Sequence, residues 1–242
     1  MRLKKPKFWD YKEISIWSIL LFPLTIIFLF LAWLNKISSV FKIYKNILPI
    51  ICVGNIYVGG TAEIYKLIKS DRKKPSIIKK HYNYLLDEIE MLREIGDTFS
   101  DKSRITAIEL SLSNGNNVAI LDDGFQDFSI KPNFSILCFN SKQLIGNGLV
   151  IPSGPLRERL SAVNRADCII INGNKSNDTL EFEKKITENL MGKKLHFFYS
   201  NYKIKNIDKL KNKSITAFAG IGNPSNFFDL LKKNKLDIKA TY

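Results

Sequence analysis

From Ile14 to Leu34 the chain reads ISIWSILLFPLTIIFLFLAWL, without a single charge. As a helix this run is long enough to span the roughly 30 Å apolar core of a bilayer. Trp17 and Trp33 stand near its ends, where an interfacial belt places aromatic rings. Arg2, Lys4, Lys5 and Lys7 precede it and Lys36, Lys42 and Lys45 follow, so both flanks are basic and the positive-inside rule selects no orientation. Pro23 sits mid-run and is expected to kink a helix. A helix lying in or dipping into the cytoplasmic leaflet fits both features better than a simple span. Each basic side chain at an anionic surface adds on the order of 1 kcal/mol to such an anchor. No small-x-small cleavage site follows Leu34, which argues against a cleaved signal peptide; a buried core helix is the remaining alternative. Residues 1–45 are therefore expected to form a basic segment and membrane anchor, with the rest of the chain on the cytoplasmic side.

The remainder alternates between short apolar runs and helical patterns. Leu48 to Gly54, Val118 to Leu121, Phe134 to Phe139, Cys168 to Ile171 and Ile215 to Phe218 are apolar without alternation, as strands covered on both faces are. Helical patterns run from Tyr84 to Ile95 and from Thr179 to Leu190, and Pro224 with Ser225 begins another after Gly220 and Gly222. This predicts an α/β fold with a mostly parallel sheet flanked by helices. The segment Lys193 to Lys213 is polar and basic and is expected to join two subdomains.

Charge narrows the partners. Lys+Arg 37 against Asp+Glu 23 gives a net +14, which suits nucleic acid, a phosphate-rich small molecule or an acidic membrane. The basic residues are scattered and no base-stacking motif is evident, so nucleic acid is not expected. Hydrophobic residues at 45% exclude a wholly disordered chain and a polytopic membrane protein. Cys52, Cys138 and Cys168 sit in apolar runs and read as buried thiols of a reducing compartment.

Three constellations carry chemistry. Gly54-Asn55-Ile56-Tyr57-Val58-Gly59-Gly60-Thr61 follows the first strand, where glycines let backbone N–H groups curl around phosphate; a structural turn uses the same residues. Asp122-Asp123-Gly124 ends a buried strand, where nucleotide-binding α/β proteins hold Mg²⁺; a helix cap or turn is the alternative. Gly146-Asn147-Gly148 and then Pro152-Ser153-Gly154-Pro155-Leu156-Arg157-Glu158 form a Gly/Pro-dense loop whose Arg can bind phosphate bidentately or simply pair with an acid.

Taken in order, GNIYVGGT, LDDGFQD, GNG…IPSGPLRERLS…RAD…INGN and FAGIGNPSNFF resemble tetraacyldisaccharide 4'-kinase, the lipid A 4'-kinase family of Gram-negative bacteria. The resemblance runs from about Phe8 to the last residue, and LDDGFQD and GPLRE are its specific segments. It implies a P-loop kinase fold with a membrane-associated N-terminal helix and a second, smaller subdomain. It implies transfer of the γ-phosphate of ATP to the 4'-hydroxyl of a tetraacyl glucosamine disaccharide 1-phosphate, at the cytoplasmic face of the inner membrane. The chain is expected to be a monomer.

By resemblance, Asp122 and Asp123 are catalytic and hold Mg²⁺, and Asp87 of the Asp87-Glu88 pair is the catalytic base. Val58, Gly59, Gly60 and Thr61 hold the nucleotide; Asn55, Tyr82, Arg104, Gln126, Arg157 and Glu158 face the substrate. The mechanism implied is in-line phosphoryl transfer, driven by positioning and charge stabilisation.

Three departures stand beside the matches. Lys79-Lys80-His81-Tyr82 occupies the place of the family's Ser-Arg-Gly-Tyr, with Lys80 standing in for Arg. Where the family continues Gly-Gly-Thr-Gly-Lys-Thr-Pro, this chain reads Gly59-Gly60-Thr61-Ala62-Glu63-Ile64-Tyr65, without the phosphate-binding Lys and the Mg²⁺-binding Thr. Losing one preorganised donor lowers a rate by about 10²–10³, so reduced activity is expected, or a non-catalytic membrane-bound binder of lipid or nucleotide. The family also carries a later Asp-His-His segment, whereas His81 and His196, the two histidines here, lie in other contexts. Residues 46–180 are thus expected to form the kinase-like core and 181–242 an incomplete second subdomain.

Overall fold

The computed structural model describes residues 6–40, 44–45, 47–55, 65, 68–188, 190, 192–204, 206–219 and 224–242. It divides into two compact units, Met1–Ser200 and Asn201–Tyr242. The first opens with α1 (Ile16–Leu20) and α2 (Phe22–Val40), then β1 (Ile50–Asn55), β2 (Pro75–Lys80), α3 (Leu86–Ile95), β3 (Thr98–Asp101), α4 (Arg104–Ser113), β4 (Val118–Asp122), β5 (Phe134–Asn140), β6 (Cys168–Asn172), α5 (Asn177–Glu188) and β7 (His196–Ser200).

The seven strands form one sheet in the order β3-β2-β4-β1-β5-β6-β7, and every neighbouring pair is parallel. Its two faces are both apolar, because successive residues of a strand point to opposite sides. Ile50, Cys52, Ala119, Leu121, Leu137, Phe139, Ile169 and Ile171 join one buried cluster with Ala107 and Ile108 of α4 and Phe182 and Ile186 of α5. Val53, Ile120, Ile136, Cys138 and Cys168, one residue out of phase, join the other with Leu92 of α3. Four of the five continuous apolar runs expected to be doubly covered strands are therefore β1, β4, β5 and β6; the fifth, Ile215 to Phe218, lies in the second unit on a strand that is not covered on both faces, with Thr216 and Phe218 exposed.

Helix starts follow local chemistry. Ser103 caps α4 by accepting from the Thr106 N–H, which sets Arg104 at the first helical position. Ser176 and Thr179 exchange hydrogen bonds across the start of α5. Asp87 and Glu88 lie in the first turn of α3 and Arg93 in its last, matching the helix dipole.

The N-terminal run is not a core helix. It is interrupted at Leu21, and Pro23 falls in the first turn of α2, where its missing N–H has no helical partner to lose. Its polarity is inverted: Ser18 and Thr25 are 0% and 2% exposed, whereas Ile16 and Leu20 are 69% and 63% exposed. Thr25 Oγ1 bonds Val150 O at 3.2 Å and Ser153 Oγ at 2.8 Å, and Asn147 Nδ2 donates to Ser18 Oγ at 3.0 Å. Trp9 Nε1 donates to Pro152 O at 2.9 Å. Gly146, at φ +56°, lets this loop pass Trp9; a Cβ there would come within 2.1 Å of the Trp9 carbonyl oxygen. Among the described residues α2 is the one helix long and apolar enough to cross a membrane.

The second unit contains α6 (Ile207–Leu210), β8 (Ser214–Ala217), α7 (Pro224–Lys233) and β9 (Asp237–Thr241). Its two strands pair in parallel over a small core of Ala217, Leu231 and Leu236. Gly220 and Gly222, expected before α7, lie outside the described residues.

Candidate active site

Parallel sheets gather function at the carboxyl ends of their strands. Here the ends of β1, β2 and β4 converge, since Val53 pairs with Asp122 and Ile78 with Leu121, leaving Lys79 and Asp122 as the next residue of each strand. Lys79 Nζ sits 2.5 Å from Asp122 Oδ2 and 2.8 Å from Glu88 Oε2. Burial presses the Lys79 ammonium down, but Asp122 and Glu88 outweigh it and hold its pKa above the usual lysine value.

After Asp122 the chain turns sharply. Asp123 adopts φ +51°, a left-handed conformation that Asp tolerates better than most residues, and its N–H donates to Val53 O at 3.0 Å. Gly54 makes room beneath this turn, since a Cβ there would lie 2.4 Å from the Phe125 Cβ. Arg104 clamps the turn from α4: it donates to the carbonyls of Asp122 at 3.2 Å and Asp123 at 2.8 Å and to Asp127 Oδ2 at 3.1 Å. Burial alone raises the Asp127 carboxyl, but the Ser129 hydroxyl and Arg104 together hold it below the ordinary carboxylate value.

Two further arginines close the site. Arg157 Nη1 reaches both oxygens of Asp123, at 2.7 and 2.8 Å. Arg165 takes Glu158 bidentately at 2.8 and 2.9 Å and lies over the rings of Phe125 and Phe128. Lys36 of α2 also approaches Phe128, 5.1 Å from the ring centroid.

The result is a cleft of about 1340 Å³ with two kinds of wall. One is the apolar side of α2, including Phe30 and Trp33; the other carries Lys80, Tyr82, Arg104, Asp123, Gln126, Asp127, Arg157, Glu158 and Arg165. An amphiphile with an anionic head matches that pairing of walls.

The expected residues are thus sorted. Tyr82, Arg104, Asp123, Gln126, Arg157 and Glu158 meet at the cleft, and Asp122, next to Asp123 in the chain, is paired with Lys79. Arg104 and Glu158 are engaged by protein partners, so they shape the site. Asp87 is exposed and has no partner among the described residues; helix geometry instead turns Glu88, four residues before buried Leu92, toward Lys79. Asn55 ends β1, and Val58, Gly59, Gly60 and Thr61 lie outside the described residues.

The resemblance gives Asp122 and Asp123 jointly to Mg²⁺. Each carboxylate already carries a cation of the chain itself, Lys79 on the first and Arg157 on the second. Among the described residues no group of three or more His, Cys, Asp or Glu gathers as a metal site. Lys79, Asp127 and Arg165 complete the site without having been assigned a role from sequence. Arg165 belongs to the quoted RAD segment, and Lys79 is itself one of the departures.

Comparison with known proteins gives a consistent assignment. A family model described as Tetraacyldisaccharide-1-P 4'-kinase matches residues 87–242. A tetraacyldisaccharide 4'-kinase of Pelagibacter ubique (strain HTCC1062) is 40% identical over 98% of this chain and 76% of its own length. Another, from Rickettsia canadensis (strain McKiel), is 31% identical over 98% of this chain and 76% of its own. The crystal structure of LpxK from Aquifex aeolicus, described as in complex with ATP, aligns with a TM-score of 0.69 at 22% identity, over 93% of this chain and 81% of that one. At that identity the likeness establishes the shared fold.

Proposed function

The chain belongs to the tetraacyldisaccharide 4'-kinase family, and from that premise we propose that it moves the γ-phosphoryl group of ATP onto the 4'-hydroxyl of a tetraacyl glucosamine disaccharide 1-phosphate at the cytoplasmic face of the inner membrane. The observation that carries this reading is the cleft whose one wall is apolar α2 and whose other is the cluster of acids and arginines. Acyl chains lie along α2, and the phosphorylated sugar meets Arg157.

The N-terminal helical run, α1 then α2, is docked along one face through Ser18 and Thr25 and leaves most of its large apolar side chains outward. It therefore lies at the membrane interface with that outer face in the acyl region, as interfacial helices do. Lys36 and the basic residues before the helix strengthen attachment to anionic lipid.

In the reaction the bond between the γ-phosphorus and the β–γ bridging oxygen breaks, ADP leaves, and a new bond forms to the sugar oxygen. The hydroxyl proton passes to a base, for which Asp87, exposed in the first turn of α3 and without a partner among the described residues, is the residue proposed. Arg157, half exposed, exchanges Asp123 for an incoming phosphate, where its planar fork binds two oxygens at once. Tyr82 and Gln126 offer a ring face and an amide to the sugar. The glycine-rich residues Val58 to Thr61, with Asn55 before them, supply backbone N–H groups to the nucleotide.

Ala62-Glu63-Ile64, where a phosphate loop carries Gly-Lys-Thr, favours a second reading: a membrane-bound binder of lipid and nucleotide without turnover. Incubation with ATP and the tetraacyl disaccharide 1-phosphate in anionic vesicles separates the two. The kinase gives a product heavier by one phosphate in the mass spectrum; the binder retains both ligands unchanged.

A further inference from the structure

A phosphate loop ordinarily brings its own lysine to the nucleotide. The segment from Gly54 to Tyr65 contains none. On β2, the second strand over from β1 at the same carboxyl edge of the sheet, stands a lysine that is only 8% exposed. Lysine is almost never buried unless paired, and Lys79 is paired twice, with Asp122 at 2.5 Å and Glu88 at 2.8 Å.

We propose that Lys79 is the phosphate-binding cation of this site, reaching the nucleotide from β2 instead of from the loop after β1. The inference rests on the kinase reading given above. Three observations carry it. Lys79 and Asp122 stand at the carboxyl ends of adjacent parallel strands, and β4 is bracketed by β2 and β1, so the ammonium lies at the same edge of the sheet as the end of β1, two strands over. Stability alone does not account for such a pair, because a buried ion pair is often no better than apolar residues of the same volume. The stem of Lys79 is flexible and its ammonium is a compact point charge, so a short rotation exchanges a carboxylate for a phosphate oxygen. Asp122 and Glu88 then act as a rest that keeps the ammonium charged and aimed at the edge of the sheet.

The test is equilibrium binding of ATP, ADP and AMP to the full chain in detergent, under one fixed buffer. The chain as given should bind ATP more tightly than AMP. Lys79→Met should lower ATP affinity on the order of 10–100-fold, the scale of one hydrogen bond to a charged group, and leave AMP unchanged. Lys79→Met leaves Asp122 buried without its cation, so Lys79→Met/Asp122→Asn serves as the charge-neutral companion, with thermal unfolding followed for both. Weak ATP binding that persists in the folded double variant supports the proposal. ATP affinity restored in the double variant overturns it, since Lys79 then only neutralises Asp122. Unchanged ATP affinity in Lys79→Met overturns it too, and leaves the kinase reading standing. If the chain as given does not prefer ATP to AMP, the kinase reading fails, and the role of Lys79 with it.

Discussion

Replacing Arg104 by alanine removes the clamp over the acidic turn. The Arg104 side chain is 9% exposed and serves three acceptors, the carbonyls of Asp122 and Asp123 and the carboxylate of Asp127. Removing one partner of a buried ion pair destabilises by roughly 3–5 kcal/mol. Asp127 keeps the Ser129 hydroxyl at 2.5 Å, which places the expected loss near the lower end, about 3 kcal/mol. For a unit of this size 1 kcal/mol corresponds to roughly 2–4 °C, so the melting temperature should fall by about 6–12 °C. The pH dependence supplies a second readout. Burial raises the Asp127 carboxyl, and Ser129 and Arg104 more than reverse it, so its folded pKa lies below the ordinary carboxylate value of 3.8. A depressed folded pKa contributes stability above the unfolded value, and that contribution is lost as pH falls through the folded value. The gap in stability between parent and variant should therefore be full at pH 7 and narrow below about pH 3.8. Thermal melts followed by circular dichroism across that range measure both effects. A variant that melts with the parent at pH 7 refutes the clamp.

Other outcomes follow from the same geometry. Thr25→Val keeps the volume of a buried residue but removes the acceptor of the Ser153 N–H and leaves the Val150 carbonyl with the Gly154 N–H; it should destabilise by about 1–3 kcal/mol and speed proteolysis between α1 and α2. Arg157→Gln removes a pair that is 46% and 37% exposed, so stability should change by less than about 1 kcal/mol, while turnover falls by about 10²–10³ in a kinetic assay. Burial pushes the Cys52 thiol up to about 12 and the Cys168 thiol up to about 11, so maleimide at pH 7 should label neither until denaturant is added.

Legibility in the sequence tracked burial. β1, β4, β5 and β6 lie inside the sheet and need apolar residues on both faces, so their runs were plain. β3 and β7 are its edges, and β7 alternates exposed and half-buried positions, which no continuous run announces. β2 escaped notice because its run is short and ends in Lys79 and Lys80, a charged end that only the pairing with Asp122 and Glu88 explains. Asp122, Asp123 and Arg157 could be picked out because acids at a strand end and an Arg in a Gly/Pro loop are unusual locally. Which of Asp87 and Glu88 reaches Lys79 could not be read from motif alone; it turns on which face of α3 meets the sheet, a matter of the spacing to Leu92. The inward direction of Ser18 and Thr25 was hidden for the opposite reason. In an apolar run, two small hydroxyls look incidental until the loop that they bond is seen.

The central claim is that acyl chains lie on α2 while the sugar phosphate sits at the Arg157 wall. The most direct measurement is photo-cross-linking with a tetraacyl disaccharide 1-phosphate carrying a diazirine on one acyl chain, mapped by mass spectrometry of tryptic peptides. The label should fall on Glu13–Lys36, at Phe30 and Trp33 of the cleft wall, and be displaced by unlabelled lipid. Displaceable label confined to Asn201–Tyr242, or spread evenly over the first unit with no preference for α2, would contradict the account.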